Sequence, residues 1–255
     1  MAQVRLDGRS TEMLRRQRIH RNYVPRACGS AKYQIDGTIV VAAIHGPMPV
    51  KPWKEDVEKC VVEVELNAAN EMNREEERAC EARIRGAIEG TVVRREFPRL
   101  GLRVSLRVCS DDGNVEAACV NAVCTALIDA DIPMFGLICA SSCAILSDGR
   151  KVIDPTRREE AEARAIVRAC ALTKHRDKEE IAIVGCSTVG ALSEEEYLDC
   201  IAFIVDATAS VAKLQKKSIA RFELEGKRAE DEPEKKRPTV NEPAETEGMA
   251  NRPVG

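Results

Sequence analysis

The first residues that could do chemistry form a turn, Asp111-Asp112-Gly113, followed by Asn114 and Glu116. A strand pattern precedes the turn and a helix pattern follows it, so the free amides of the helix N-terminus would face an anion there. The acids oppose that use, because a carboxylate about 4 Å from a phosphate repels it by roughly 1 to 4 kcal/mol. We therefore interpret Asp111, Asp112 and Glu116 as acids that satisfy helix amides and complement the helix dipole.

A second pair of acids, Glu159 and Glu160, has the residue type of a metal-binding or general-base pair. Both stand in the run RREEAEAR, where neighbouring acids and bases neutralise one another, so we expect them on a solvated surface. The histidines His20, His45 and His175 stand apart and no CxxC pair occurs. We therefore expect neither a metal site nor a cofactor.

Hydrophobic periodicity predicts the elements that position the turn. Leu102, Val104, Leu106 and Val108 alternate with more polar residues, which is the period of two that marks a half-buried strand. After the turn, apolar residues recur at helical spacings until Pro133 stops the helix. The turn therefore joins an amphipathic strand to a buried helix.

Further elements are predicted on both sides of this unit. Upstream, the patterns indicate a hairpin over 32–35 and 38–45, a strand over 60–66 and an amphipathic helix over 73–95. Downstream, they indicate a hairpin over 136–146 and 151–153, strands over 165–172 and 181–186 around a charged turn at 174–180, and a closing helix from a Ser193–Glu196 capping box to about 221. Because each amphipathic element needs one covered face, this order predicts an α+β fold class with two sheets and packed helices.

Two groups of arginines are candidates for contact with a nucleic acid. The segment 1–26 is locally basic, and we interpret it as a solvated or partner-facing arm. In the helix over 73–95, Arg74 and Arg78 are interleaved with glutamates, which favours i to i+4 ion pairs on a solvated face. RNA contact by Arg74 or Arg78 is the alternative.

Composition limits the remaining functions. Aromatic residues make up only 3% of the 255, so few rings are available for stacking on bases. The net charge of −3 argues against a free-standing basic nucleic-acid binder, although one face can still contribute to a shared channel. The 11 cysteines fall within apolar periods and are interpreted as core residues in a reducing compartment. With no signal-like start and no long apolar run, we expect a soluble, intracellular protein.

The chain is predicted to divide into one domain and a tail. Residues 1–225 carry the periodic elements, whereas 226–255 contain prolines and charges but almost no bulky aliphatic residues. Such a segment cannot bury enough apolar surface to order itself, so we expect a disordered tail. Within it, Lys235, Lys236 and Arg237 are a candidate nuclear-import signal.

Three stretches resemble the RNase PH family: GSAKYQIDGTIVVAAIHGP, the turn with its flanking strand and helix, and SDGRKVIDPT. The resemblance covers about 5–224 and is closest to core-ring subunits of the eukaryotic RNA exosome. In phosphorolytic members the turn reads Gly-Thr-Arg-Thr and holds the attacking phosphate, and a catalytic aspartate follows the second hairpin. Here the turn reads Gly113-Asn114-Val115-Glu116, so Val115 occupies the arginine position, and Arg164 aligns with the aspartate.

The resemblance implies the RNase PH-like fold, which is related to the second domain of ribosomal protein S5. It also implies a heterodimer with another RNase PH-like subunit, within a six-membered ring that surrounds a channel for single-stranded RNA. Cap proteins with RNA-binding domains and a separate hydrolytic nuclease are the further partners implied, without a membrane. The implied location is the nucleus, including the nucleolus, and the cytoplasm.

Three functions remain as hypotheses. The first is a noncatalytic ring subunit with no catalytic residue, in which Asn114, Val115, Glu116 and Arg164 are relics of a phosphate site and Arg74, Arg78 and Arg164 are candidate RNA contacts. The second is a phosphate-dependent 3' to 5' exoribonuclease with atypical residues, in which Arg164 holds phosphate and Glu159 or Glu160 acts as the acid. The third, a free-standing nucleic-acid binder, is opposed by the negative net charge.

Overall fold

A computed structural model describes residues 5, 7–68, 72–176 and 178–231, with side chains described except in 174–180 and 222–231. Two compact units are distinguished, Met1–Ser218 and Ile219–Gly255. Both sheets and the hydrophobic core belong to the first unit. Of the second unit, the structure describes only the helical residues up to Asp231.

The first sheet has five strands in the order β1-β2-β3-β5-β4. These are β1 (Gln17–Arg21), β2 (Gly29–Ile35), β3 (Thr38–Pro49), β4 (Val61–Asn67) and β5 (Leu100–Ser110). Neighbours are antiparallel except β4 and β5, which are parallel. The predicted hairpin and the two predicted strands of this half are confirmed. Strand β1 was missed, because the sequence suggested only a basic arm there.

The second sheet has four antiparallel strands in the order β7-β6-β8-β9. These are β6 (Leu137–Leu146), β7 (Lys151–Ile153), β8 (Ala163–Arg176) and β9 (Lys178–Gly190). The predicted charged turn over 174–180 is wrong, because both strands continue to Arg176 and Lys178 and pair there. Charged residues do not stop a strand in the way that proline or glycine does, so composition misplaced these ends.

Four helices complete the fold: α1 (Arg74–Thr91), α2 (Val115–Asp129), α3 (Arg157–Glu162) and α4 (Glu194–Asp231). Helix α2 contacts β2 and β3 of the first sheet and β6 of the second, which explains why nearly all of its residues are buried. Helix α1 ends at Thr91, before the predicted 95. The Ser193–Glu196 capping box of α4 is confirmed, since each residue's amide donates to the other's side chain.

Helix α4 continues to Asp231, beyond the predicted end near 221. The apolar stripe ends earlier, but Ala, Glu, Lys and Arg are strong helix formers and no proline occurs until Pro233. Helix therefore covers the start of the segment predicted to be disordered. The remainder of that segment, including Lys235 to Arg237, lies outside the described residues. None of the described helices is long and apolar enough to cross a membrane.

Candidate functional site

The turn before α2 is held by Asn114, whose side chain forms two hydrogen bonds within the protein. Asn114 has φ 58° and lies at the helix N-cap, with 3% of its surface exposed. Its Nδ2 donates to Asp154 Oδ1 at 2.7 Å, and its Oδ1 accepts from Ser142 Oγ at 2.7 Å. Asn114 therefore ties the turn to strand β6 and to the segment after β7, and its side chain is directed into the protein.

The amide of Asn114, which an anion at this helix end would use, donates to Glu160 Oε1 at 2.9 Å. Burial raises the pKa of Glu160, and the amide and the charge of Arg168 only partly offset that effect. The predicted solvated position of Glu160 is wrong. The chain's own carboxylate occupies the anion position in front of α2.

Glu159 is also not on a solvated surface, because it is 8% exposed and forms an ion pair with Arg5. Burial would raise the pKa of Glu159, but its hydrogen bonds to Arg5 and to the Thr156 amide outweigh burial and lower it. Glu159 also completes a capping box with Thr156 at the start of α3. Its partner lies 154 residues away in sequence, so local charge patterning could not show the pairing.

The N-terminal segment 1–26 was interpreted as a solvated or partner-facing arm, which is wrong for its three buried arginines. Arg5, Arg9 and Arg15 are 5%, 9% and 4% exposed. Arg15 donates to Asp154 Oδ1 at 2.7 Å and to the carbonyl oxygen of Asp112 at 2.7 Å. Burial would raise the pKa of Asp154, but hydrogen bonds from Arg15 outweigh it and lower that pKa. The segment therefore fastens the turn to the second sheet.

Val115 and Glu116, the next two residues, face different surroundings. Val115 is 6% exposed and belongs to the main core. Glu116 accepts two hydrogen bonds from the Arg83 guanidinium, each 2.9 Å long, and its Oε2 lies 4.0 Å from Arg168 Nε. These three charged side chains line a cavity of about 210 Å³ between α1, α2, β8 and β9.

The predicted bonds from these acids to helix amides are not formed, because Asp111 Oδ1 accepts from the Gly113 amide at 2.7 Å, before α2 begins, and the N-cap has no side-chain hydrogen bond. Glu116 does lie in the first turn of α2, where an acid complements the helix dipole. Asp112 lies 3.7 Å from Arg15, and Glu116 binds Arg83 rather than a helix amide. The bidentate pair is a strong, charge-assisted contact. In the cavity, two arginines face one glutamate, so an incoming anion must compete with Glu116 for Arg83.

Two hydroxyl groups add polar character to this cavity. Ser141 and Ser187 line it, and neither Oγ has a hydrogen-bond partner among the described residues. Cys170 lines it as well, and burial raises the pKa of that thiol to about 11. The thiol therefore stays protonated near neutral pH and is a poor nucleophile.

Arg164, which aligns with the family's catalytic aspartate, is directed elsewhere. It lies at the start of β8 and forms an ion pair with Glu196 of α4. The structure thus brings Asn114, Val115 and Glu116 together, while Arg164 pairs at the surface. Arg83 and Arg168 were missed. A signal existed, because Glu116 is the one charged residue in the apolar run from 115 to 128 and needs a cation from another element.

The RNA-contact candidates Arg74 and Arg78 are exposed on α1. The predicted i to i+4 ion pairs are not formed by either residue with any described residue. The glutamates have other partners, since Glu77 accepts from the Ala68 amide and Glu81 from the Leu66 amide. Two backbone amides compete for these carboxylates more effectively than exposed arginines do.

In the described ranges, no group of three histidine, cysteine, aspartate or glutamate side chains could hold a metal ion. The chemistry available at the cavity is therefore that of two guanidinium groups with an internal counter-ion and two hydroxyls. It can orient a polar group, and it presents no free carboxylate or thiolate for attack.

Comparisons with known proteins agree with this fold. Residues 13–133 match the RNase_PH model, described as the 3' exoribonuclease family, domain 1. A rice (Oryza sativa) protein named exosome complex exonuclease RRP46 homolog is 28% identical, over 87% of this chain and 98% of that protein. A Caenorhabditis elegans protein named putative exosome complex component RRP41 is 31% identical, over 62% of this chain and 69% of that protein.

A crystal structure of rice Rrp46 superposes with a TM-score of 0.79 at 28% identity. It covers 85% of this chain and 100% of that chain. Because it covers 85% of this chain, the agreement extends beyond the residues matched by the family model. By its two-sheet fold, its matched residues and these relatives, the chain belongs to the RNase PH family.

Proposed function

We propose that this chain is a noncatalytic structural subunit of an RNA exosome core ring, contributing to a channel for single-stranded RNA in 3' to 5' RNA processing and degradation. The exosome assignment is supported by the names of the rice and nematode relatives and by the near-complete coverage of the rice protein. The subunit's contribution is burial at interfaces and lining of the channel. Cleavage of RNA is carried out by a separate hydrolytic nuclease.

One observation carries the noncatalytic part: the positive anchor expected in the turn is the buried Val115, and the adjacent Glu116 neutralises Arg83. Losing a bidentate guanidinium removes the strongest available phosphate contact. Glu116 also holds Arg83 in a bidentate pair, so a phosphate would have to displace that carboxylate to reach the guanidinium. Both effects weaken binding of the attacking phosphate.

The test incubates the purified chain with single-stranded RNA and inorganic phosphate and measures release of nucleoside diphosphates. We expect no release. The variant Glu116→Gln removes the acid's charge at nearly the same size, which releases Arg83 from its ion pair, and is expected to gain phosphate binding in calorimetry. Nucleoside diphosphates released by the unmodified chain and lost in Arg83→Ala would overturn the proposal.

A second candidate is a phosphate-dependent 3' to 5' exoribonuclease with atypical residues, supported by the word exonuclease in the rice relative's name. In that hypothesis Arg164 holds phosphate and Glu159 or Glu160 is the acid. These side chains have different partners: Arg164 pairs with Glu196, Glu159 with Arg5, and Glu160 with the Asn114 amide. The Arg164→Ala variant separates the candidates, because loss of diphosphate release in it would favour this second function.

For partners, we propose a heterodimer with another RNase PH-like subunit within the six-membered ring, with cap proteins and the nuclease attached. Co-purification of the tagged chain from its own cells should recover these subunits. We also propose action in the nucleus, including the nucleolus, and in the cytoplasm. Imaging of a fluorescent fusion tests this, with a variant lacking 235–237 as the comparison for nuclear import.

A further inference from the structure

Helix α1 covers the exposed edge of strand β4 incompletely. Three residues of α1 at i, i+4 and i+8 form one row: Glu77, Glu81 and Arg85. The first accepts from the Ala68 amide at 3.0 Å and the second from the Leu66 amide at 2.8 Å. The third residue of the row is a cation, which cannot accept a hydrogen bond.

The result is an unpaired section of strand edge next to Arg85. Strand β4 is the edge of the first sheet and pairs only with β5. Because the Leu66 amide points away from β5, the amides of Val62 and Val64 point the same way at the period of two. Among the described residues, neither of these outward amides has a side-chain or loop acceptor.

A groove of about 520 Å³ runs along this section. It is lined by Val61 to Glu65 of β4 and by the cations Lys54, Arg85 and Arg103. Lys54 and Arg103 both pair with Glu63, whereas Arg85 is exposed and forms no ion pair with a described residue. The groove therefore offers backbone donors, backbone acceptors and one uncompensated guanidinium.

We propose that this groove binds an extended peptide as an added strand on β4, with an acidic side chain of the peptide held by Arg85. The outward carbonyl groups of Val62 and Val64 favour a peptide over a phosphate chain, because they need donors and would repel phosphate oxygens. Glu65 projects from the opposite face of the strand, is exposed and forms no ion pair with a described residue, so a basic residue of the peptide pairs there. The ligand is a segment in which acidic and basic residues alternate.

The site lies outside the cavity of Arg83 and Glu116, so it stands whether or not the chain is an exosome subunit. The test measures fluorescence anisotropy of the full-length chain with a labelled peptide of about ten residues, in which Glu and Lys alternate between Thr-rich ends. A second peptide carries proline at its centre, where it cannot donate to the ladder. Hydrogen exchange at Val62 and Val64 is followed in parallel.

We expect the alternating peptide to bind and to slow exchange at both valine amides. Arg85→Glu should weaken binding roughly tenfold. The matched variant Arg74→Glu, an exposed arginine on the same helix outside the groove, should change binding less than about twofold. Circular dichroism melting confirms that both variants fold.

Equal losses in Arg85→Glu and Arg74→Glu would overturn the proposal, because they would indicate general charge attraction. Equal binding of the proline peptide would also overturn it, because a peptide that cannot donate to the ladder would then bind without forming an added strand. Displacement of the peptide by a short single-stranded oligouridine, with the same Arg85 dependence, would assign the groove to RNA instead. Absence of peptide binding would also overturn the proposal.

Discussion

At the scale of single residues, the turn depends on Asp154, a buried carboxylate that accepts hydrogen bonds from both Arg15 and Asn114. Its side chain is 0% exposed, and the charges of Arg15 and Asp154 leave water together. Removing one partner of such a pair leaves the other as an uncompensated buried charge. The arrangement explains why a segment near the N-terminus controls the geometry of a turn almost 100 residues away.

We expect this carboxylate to make the fold sensitive to acid. The pKa of Asp154 is lowered from 3.8 in the folded chain, so its stabilisation is complete above that value and is lost as pH falls through the lower, folded pKa. Asp154→Asn should cost about 3 kcal/mol at neutral pH and flatten the acid side of the stability profile. Urea unfolding across the acid range measures both effects.

The control is Asp199→Asn, because Asp199 also pairs with a cation, Lys151, but its side chain is 61% exposed. An exposed pair contributes about 0 to 1 kcal/mol, so this variant should unfold almost as the unmodified chain does. If Asp199→Asn and Asp154→Asn were equally destabilised, the buried pair would have no special role.

Residue-level prediction from sequence succeeded where local chemistry decides and failed where distant partners decide. The resemblance directed attention to Asn114, Val115 and Glu116, of which Glu116 lines the cavity while Asn114 and Val115 are buried beside it. Glu159 was expected on the surface, because its partner Arg5 is invisible in a local window. Arg83, which pairs with Glu116 at the cavity, was missed for the same reason.

At the scale of elements, the turn before α2 depends on Gly113, which has φ +87°. A Cβ built there would lie 2.6 Å from the Arg157 amide nitrogen and 2.7 Å from the Thr156 carbonyl carbon. Both are backbone atoms, so the neighbouring segment would have to move. The strand, turn and α3 are therefore packed as one unit around this glycine.

Gly113→Ala should consequently destabilise the chain by more than its unfavourable φ alone. Gly149 provides the matched control, since it has φ +84° but no atom within 4 Å of its Cβ position. We expect Gly149→Ala to cost about 1 kcal/mol from backbone strain and Gly113→Ala about 2 kcal/mol more from the clash. Equal losses of stability for the two variants, in thermal or urea unfolding, would show that α3 can shift to accommodate the added Cβ.

Periodicity predicted the existence and type of most elements better than their ends. Strand β5 and the hairpin of β2 and β3 follow directly from alternation and an Asp-Gly turn. The ends of β8, β9 and α4 were misplaced, since charged residues in them continue the backbone hydrogen bonds. Hydrophobic periodicity marks only the residues that gain apolar contacts, and a strand or helix can continue beyond them.

At the scale of the whole first unit, the order of elements predicted two sheets with packed helices, and the resemblance predicted which fold this is. The order alone did not give strand β1, because its five residues, Gln17–Arg21, show no apolar alternation. The order β4, α1, β5 is a strand-helix-strand unit, which agrees with the parallel pairing of β4 with β5. The sequence could not show which edges remain open. Those edges decide how the unit behaves on its own.

We expect the isolated chain to self-associate at micromolar concentrations. The edge strand β9 exposes Ile183 and Val189, at 46% and 57%, and the connection before β4 exposes Trp53 and Val57, at 76% and 64%. Open strand edges with apolar side chains are templates for pairing with another chain, and a ring would cover them. Sedimentation velocity over a concentration series measures the assembly.

Introducing charge on the edge should suppress that assembly. The double variant Ile183→Lys and Val189→Lys should shift the sedimenting species toward the monomer, because charged side chains on an edge strand oppose pairing. Leu198→Lys is the control, since Leu198 is equally exposed, at 58%, but lies on helix α4, which has no strand edge. A monomer at every concentration, or equal effects of both variants, would mean that open edges do not drive association, and the interfaces of a ring would then have to be formed by other surfaces.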